Sequence, residues 1–294
     1  MPIRSWLFVP GDSERKMAKA PDCGADIVIL DLEDAVAPGR KEEARALTRQ
    51  WLCAREEPTK DAPDYWVRIN PLDTGYWHYD VEAALIGKAA GLVVPKAAGP
   101  EHLKRLVGVL YELEPRNGIA PGSTKLLPLV SETAQAANAI AAYGLPGNEL
   151  PRLTGLTWGA EDLSAAIGAT RKHDERGRWT DLMRMVRAQT LLAAHAAEVA
   201  AIDTLHADFR DEDGLRAAAT GAFADGFSGM LAIHPAQVPI INDAFSPSEE
   251  QLAEARAIVE LFSANPGVGA LQLDGRMVDQ PHLVQAKKLL AQAR

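Results

Sequence analysis

Short apolar runs alternate with amphipathic stretches along most of this chain. The runs are Ser5–Val9, Asp26–Leu32, Tyr65–Ile69, Gly91–Pro95, Lys125–Val130, Leu153–Trp158, Val199–Thr204 and Gly229–Ile233. Most are continuous rather than alternating, which is how parallel strands covered by helices on both faces read. Between them the period becomes helical: Leu103, Leu106, Val107 and Leu110 share one face, and so do Leu182, Met185, Val186 and Gln189. Alternation repeated this often predicts an α/β fold, a (β/α)8 barrel over residues 1–240, with a doubly wound open sheet as the rival that periodicity does not separate. The 294 residues leave room for a barrel of roughly 250 and an extension.

The tail, 241–294, breaks the pattern. Ser246 or Ser248 can cap a helix whose first turn carries Glu249 and Glu250 and whose apolar face runs Leu252, Ala255, Ile258, Val259 and Phe262. After Asn265-Pro266-Gly267, residues 270–279 predict a hairpin turning at Asp274-Gly275. A last helix carries Leu283, Ala286, Leu289 and Leu290. Such a piece covers either its own barrel or a neighbour's.

Composition narrows the classes. A hydrophobic content of 47% is ample for a core. No apolar stretch reaches the roughly 20 residues of a membrane span. Met1-Pro2-Ile3-Arg4-Ser5 does not lead into a signal peptide, and Cys23 and Cys53 alone make neither a disulfide framework nor a cysteine zinc site. These features predict a cytoplasmic protein. A net charge of -9 argues against a nucleic-acid surface. It does not exclude an anionic small molecule, for which Arg15, Lys16 and Lys19, with Arg40 and Lys41, form a candidate phosphate cluster.

The chemistry concentrates at strand ends, where barrels carry their working groups. Asp31 and Glu33 share a face above Ile27 and Ile29; Arg68 and Asn70 share another; Lys96 follows Val94-Pro95. Glu132 and Asp162 close the fifth and sixth runs. Each acid alone has a plainer reading as a helix cap or an arginine partner, and Arg68 could simply neutralise Asp31. Three acids and an arginine on one rim instead suggest a ligand that completes them. If the fifth and sixth strands are neighbours about 4.8 Å apart, Glu132 and Asp162 can reach one hard divalent cation, Mg²⁺ with Mn²⁺ as the alternative. His206 and His234 read as structural. No dinucleotide loop, Walker loop or nucleophile elbow is present.

Several segments resemble the citrate lyase β-subunit-like branch of the HpcH/HpaI aldolase family, nearly end to end. They include Leu7-Phe8-Val9-Pro10-Gly11, Leu30-Asp31-Leu32-Glu33-Asp34-Ala35-Val36 and Val67-Arg68-Ile69-Asn70-Pro71. Further on come Gly159-Ala160-Glu161-Asp162-Leu163, Ile233-His234-Pro235-Ala236-Gln237 and Asp274-Gly275-Arg276-Met277-Val278-Asp279. The resemblance implies a modified TIM barrel that assembles as a homotrimer or hexamer, its carboxyl-terminal segment lying against an adjacent subunit. It implies a lyase that breaks or forms a carbon–carbon bond beside a CoA thioester with Mg²⁺ bound. By the same resemblance Glu132 and Asp162 hold the metal, Arg68 stabilises the enolate, and Asp279 is a general acid/base in the neighbouring site. Met230 stands where the family often has lysine, a departure that bears on a phosphate contact.

The expected activity is cleavage of a 3-hydroxy-3-carboxyacyl-CoA, such as malyl-CoA or citramalyl-CoA, into an acyl-CoA and a 2-oxo acid. Arg68, Asp279, Asp31 and Glu33 are the catalytic set, the last two holding Arg68 or metal-bound water. Arg15, Lys19 and Lys41 are candidates for the CoA phosphates. The alternatives are a citryl-thioester lyase subunit taking its substrate from an acyl carrier protein, an aldolase on free 2-oxo acids, and a non-catalytic CoA-ester-binding protein.

Overall fold

Each predicted apolar run overlaps a strand. The computed structural model describes residues 3–55 and 62–293; Met1 and Pro2 of the amino-terminal reading lie outside it. The chain begins β1 (Ser5–Pro10), α1 (Glu14–Lys19), β2 (Ile27–Asp31), α2 (Lys41–Cys53), β3 (Asp64–Arg68), α3 (Trp77–Ile86), β4 (Gly91–Val94) and α4 (Pro100–Arg116). It continues with β5 (Lys125–Pro128), α5 (Ala134–Ala139), β6 (Gly155–Thr157), α6 (Ala160–Ala166), α7 (Asp181–Ala196), β7 (Ala200–Asp203), α8 (Glu212–Asp225), β8 (Gly229–Ala232) and α9 (Gln237–Ala244). The extension is α10 (Glu249–Ala264), β9 (Ala270–Leu273), β10 (Arg276–Asp279) and α11 (Gln280–Ala291).

The eight strands form one parallel sheet in the order β5-β4-β3-β2-β1-β8-β7-β6. Its two end strands meet through the bridges Leu126↔Leu153 and Leu129↔Thr157. Hydrogen bonds join them there, from Leu126 N to the Arg152 carbonyl (2.8 Å) and from Val130 N to the Thr157 carbonyl (2.9 Å). The sheet therefore closes into a (β/α)8 barrel, and the open-sheet rival falls. Closure rests on isolated bridges because β6 is only three residues long.

The period-2 alternation of each strand sorts its side chains between two cores. Trp6, Ile27, Ile29, Trp66, Leu127 and Leu231 belong to the smaller cluster inside the barrel. Trp6 and Trp66 meet edge to face there, 5.1 Å apart, and a Cβ on Gly91 would collide with the Trp66 ring at 2.6 Å. Their neighbours Val28, Leu30, Val67 and Met230 face the helices, in one cluster with Leu103, Leu106 and Leu110 of α4. On α7 the predicted face is displaced. Leu182 and Met185 are exposed, and Met183, Val186, Thr190 and Ala193 are buried. Apolar residues occupy both sides of α7, so spacing alone selects the wrong stripe.

The extension follows its sequence signals closely. Ser248 and Gln251 form a reciprocal capping box that starts α10. Asp274 (φ 48°) and Gly275 (φ 79°) supply the two left-handed residues of the hairpin turn. Ile258 and Phe262 of α10, Val278 of β10 and Ala286 of α11 make a separate apolar centre. Barrel packing itself runs through Ile241 and Phe245, slightly past residue 240.

Candidate active site

At the carboxyl end of β2 and β3, in-register pairing sets Asp31 beside Arg68. Arg68 donates from Nε to Asp31 Oδ1 (2.7 Å) and from Nη2 to Oδ2 (2.6 Å). Its Nη1 lies 2.9 Å from Glu33 Oε2, and its guanidinium lies over the Phe8 ring at 4.7 Å. Burial opposes the charge on Arg68, but Asp31 and Glu33 hold its basicity above the ordinary range. Asp31 also accepts from the amides of Glu33 (2.8 Å) and Ala35 (3.2 Å). Both its oxygens are thus occupied, so Asp31 orients Arg68.

Lys96 lies directly after Pro95, at the end of β4 (Gly91–Val94), with φ at 51°, the left-handed region that non-glycine residues rarely enter. That backbone points its amide at Glu132, whose Oε2 accepts at 2.6 Å. The ammonium is paired with Glu33 and lies 3.5 Å from Asp162 Oδ1. Burial works against this charge too, and Glu33 restores and raises it. The spacing Val94-Pro95-Lys96 was the only sequence signal for this residue.

Glu132 is 2% exposed. Burial, then the nearby Glu33 and Asp162, push its carboxyl up to about 8. Asp162 belongs to the first turn of α6, not to the strand end, and is part-exposed. One cleft is lined by Phe8, Arg68, Glu132, Trp158, Gly159 and Asp162. Gly159 leaves room for the Glu132 side chain: a Cβ would come within 2.9 Å of Glu132 Cγ. Trp158 is fixed by its indole N–H, which donates to Asp203 (2.6 Å), itself paired with Arg187.

A buried carboxylate crowded by two others is a site that favours a cation. Among the described residues no group of three His, Cys, Asp or Glu side chains forms a metal cage. Two carboxylates with the remaining positions left to water and substrate oxygens is the pattern that suits Mg²⁺. Glu132 and Asp162 therefore fit a hard divalent ion. A larger cavity, about 480 Å³ between Tyr143 and Val199, opens at the opposite end of β6 and β7, and only Glu149 and Glu198 bring charge to it.

The other predicted residues lie elsewhere. Asn70 leaves the Arg68 face and bonds Asp80 (2.7 Å) and the Leu32 carbonyl (3.0 Å). The Lys41 ammonium donates to the carbonyls of Leu32 (2.8 Å) and Glu33 (2.7 Å), which ties down the β2 loop. Arg40 is paired with Asp12 and Glu43. Arg15 and Lys19 are exposed on α1. His206 pairs with Asp211, and His234 stacks on Phe209. Gln237 explains the His-Pro-x-Gln segment: it accepts from the amides of Ile233 and His234 and donates to the His206 carbonyl, joining the β7 and β8 loops. Met230 lies in the helix-facing core, so the departure there does not touch the mouth. Asp279 heads α11, with His282 Nδ1 2.5 Å from its Oδ1, and is absent from the cleft's lining.

Comparison with known proteins identifies the family and the fold. Residues 4–235 match the model of the HpcH/HpaI aldolase/citrate lyase family. The chain is 35% identical to a citrate lyase subunit beta-like protein of Mycobacterium tuberculosis, covering 98% of this chain and 94% of that protein. It is 34% identical to a (3S)-malyl-CoA thioesterase of Cereibacter sphaeroides (99% and 95%) and 32% identical to mouse mitochondrial citramalyl-CoA lyase (100% and 86%). The crystal structure of CitE from Mycobacterium tuberculosis in complex with magnesium, acetoacetate and coenzyme A superposes with a TM-score of 0.79 at 34% identity, covering 99% and 98% of the two chains. This chain belongs to the HpcH/HpaI aldolase/citrate lyase family.

Proposed function

We propose that this protein is a Mg²⁺-dependent carbon–carbon lyase. It cleaves, or in reverse forms, a 3-hydroxy-3-carboxyacyl-CoA such as malyl-CoA or citramalyl-CoA. The observation that carries this reading is the convergence of a fixed arginine, Arg68, and two acids, Glu132 and Asp162, on one cleft. The relatives named for malyl-CoA and citramalyl-CoA chemistry, and the one crystallised with magnesium and coenzyme A, support it.

Glu132 and Asp162 would hold Mg²⁺, which would supply Lewis acidity to oxygens of the substrate. Arg68, held by Asp31, Glu33 and the Phe8 ring, faces the negative charge that gathers on the thioester oxygen as the bond breaks. The substrate hydroxyl passes its proton to water at the mouth and becomes the carbonyl of the 2-oxo acid, while the electron pair of the broken carbon–carbon bond moves to the CH₂ carbon of the enolate. Asp279 of an adjacent subunit delivers a proton to the CH₂ carbon, giving the acyl-CoA; in condensation it removes that proton. This role requires an assembly, a homotrimer or hexamer with residues 241–294 against the neighbouring barrel (1–240). Asp279 at the head of α11 is part-exposed, so its carboxylate is open to a neighbouring subunit, which supports this role. Arg15 and Lys19, whose side chains make no ion pair among the described residues, are the better candidates for the CoA phosphates, while Lys41 is committed to backbone carbonyls. No described helix is long and apolar enough to cross a membrane. The two free cysteines suit a reducing compartment such as the cytoplasm.

The test is release of acetyl-CoA and the 2-oxo acid from malyl-CoA and citramalyl-CoA, with Mg²⁺ or with EDTA. The expected result is Mg²⁺-dependent release that Glu132→Gln and Asp162→Asn abolish while the protein stays folded. Free CoA in place of acetyl-CoA would add a hydrolytic step. Silence on both esters, with turnover of an acyl-carrier-protein thioester, would replace the free CoA substrate by a carried one.

A further inference from the structure

Lys96 belongs to the mouth of the barrel, yet the mechanism above gives it no task. It contributes two separable things. Its backbone amide holds one oxygen of Glu132, at 2.6 Å, an interaction that does not depend on the ammonium. Its side chain places an ammonium among Glu33, Asp34 and Asp162. The left-handed backbone makes both contacts from one residue. An ammonium 3.5 Å from Asp162 Oδ1 neutralises the same acid that a divalent ion would use.

We propose that Lys96 is the resident counter-cation of this acidic mouth, holding Asp162 in place without a divalent ion and competing with that ion for it. The inference rests on the metal reading of Glu132 and Asp162. Its physical basis is charge. Three acids within reach of one another repel, and a fixed ammonium offsets that repulsion when the site is empty. The same ammonium repels an arriving dication a few ångströms away, and must withdraw toward Glu33 to admit it. Lys96 thus stabilises the empty fold and weakens metal affinity, which keeps the ion exchangeable rather than permanently held. Lys96 is a positioning residue by this account, since it acts through Asp162 and Glu33.

The test is titration of Mg²⁺, and of Mn²⁺ followed by its paramagnetic resonance, into the full-length wild type, Lys96→Met and Lys96→Asn. Met preserves the length of the side chain, and Asn tolerates a left-handed backbone if Met does not fold. Removing the ammonium is expected to tighten divalent binding by about tenfold or more. Metal-free variants should melt below the wild type in EDTA, and Mg²⁺ should raise their melting temperature by more than it raises that of the wild type. Unchanged or weaker metal binding in a folded variant overturns the proposal, because Lys96 would then organise the acids for the ion. Equal loss of melting temperature with and without Mg²⁺ overturns it as well. If neither wild type nor variants bind either ion, the metal reading falls and takes this inference with it.

Discussion

Asp31 and Arg68 are register partners on β2 and β3 and are joined by two parallel hydrogen bonds of 2.7 and 2.6 Å. A cross-strand pair of this kind transmits the rigidity of the sheet directly to a guanidinium at the mouth. Arg68→Lys keeps the charge and loses the fork and the stacking on Phe8. Its kcat should fall about 10²- to 10³-fold with a smaller change in KM. Asp31→Asn should move kcat in the same direction and by less, because Glu33 still holds Arg68. Steady-state kinetics on malyl-CoA would check both, and an undiminished kcat in Arg68→Lys would remove arginine from the reaction.

Gly159 offers a quieter handle on the two acids proposed to hold the metal. Its φ of -118° suits any residue, so Gly159→Ala adds no backbone strain. The new methyl would lie 2.9 Å from Glu132 Cγ and push that carboxylate from its place. Mg²⁺ affinity measured by calorimetry should drop while the melting temperature changes little. Normal affinity would mean that the Glu132 side chain is free to move aside.

Asp279 acts across subunits in the proposed assembly. Asp279→Ala and Glu132→Gln should each be inactive alone. Mixed after reversible dissociation, they should recover activity, because some barrels then combine an intact Glu132 with an intact Asp279 from the neighbour. Absence of recovery in verified mixed oligomers would confine Asp279 to the role of helix cap.

Far from the mouth, Glu114 and Arg152 form a buried pair. Arg152 donates to both carboxylate oxygens (2.5 and 2.7 Å), and the Thr124 and Gly122 amides add 3.0 and 2.7 Å bonds. Burial alone would raise the Glu114 carboxyl, but Arg152 and Thr124 bring it down to about 2. Folding therefore stabilises its ionised form. That stability is full above the ordinary carboxyl value of 4.5 and is lost as pH falls toward about 2. Glu114→Gln leaves Arg152 buried without its partner and should cost roughly 3–5 kcal/mol near neutrality. Urea unfolding from pH 7 to pH 3 should show the gap to wild type narrowing below pH 4.5. A constant gap would indicate that the charge on Glu114 is immaterial.

The eight strands were legible because parallel strands buried on both faces must be apolar throughout. The hairpin was legible because Asp274-Gly275 supplies left-handed residues in sequence. What escaped depends on distant partners. Barrel closure needed the meeting of Leu126 with Leu153, which no local pattern encodes. The readings of Lys41 as a phosphate ligand and of Asn70 beside Arg68 missed contacts made by main-chain oxygens and by Asp80 on α3. The α7 face was ambiguous because Leu182 and Met183 each make a helical stripe with Val186, and of the two only Met183 is buried. In the mouth, Arg68 and Glu132 were legible as charged residues following apolar runs, whereas Asp162 lies a turn further on, in α6. The left-handed turn that makes Lys96 a partner of both acids was not legible.

The seam between β5 and β6 gives the barrel a joint. Elsewhere the strands are laced by continuous ladders, whereas these two meet at isolated points. Glu132 follows one lip of that joint and Asp162 the other. A ligand held by both acids, as proposed, would also clasp the lips and stiffen this seam. Amide exchange at Leu126, Val130 and Thr154 would register it as a slowing on loading, and the reaction cycle would then be felt along the staves as an alternate tightening and slackening.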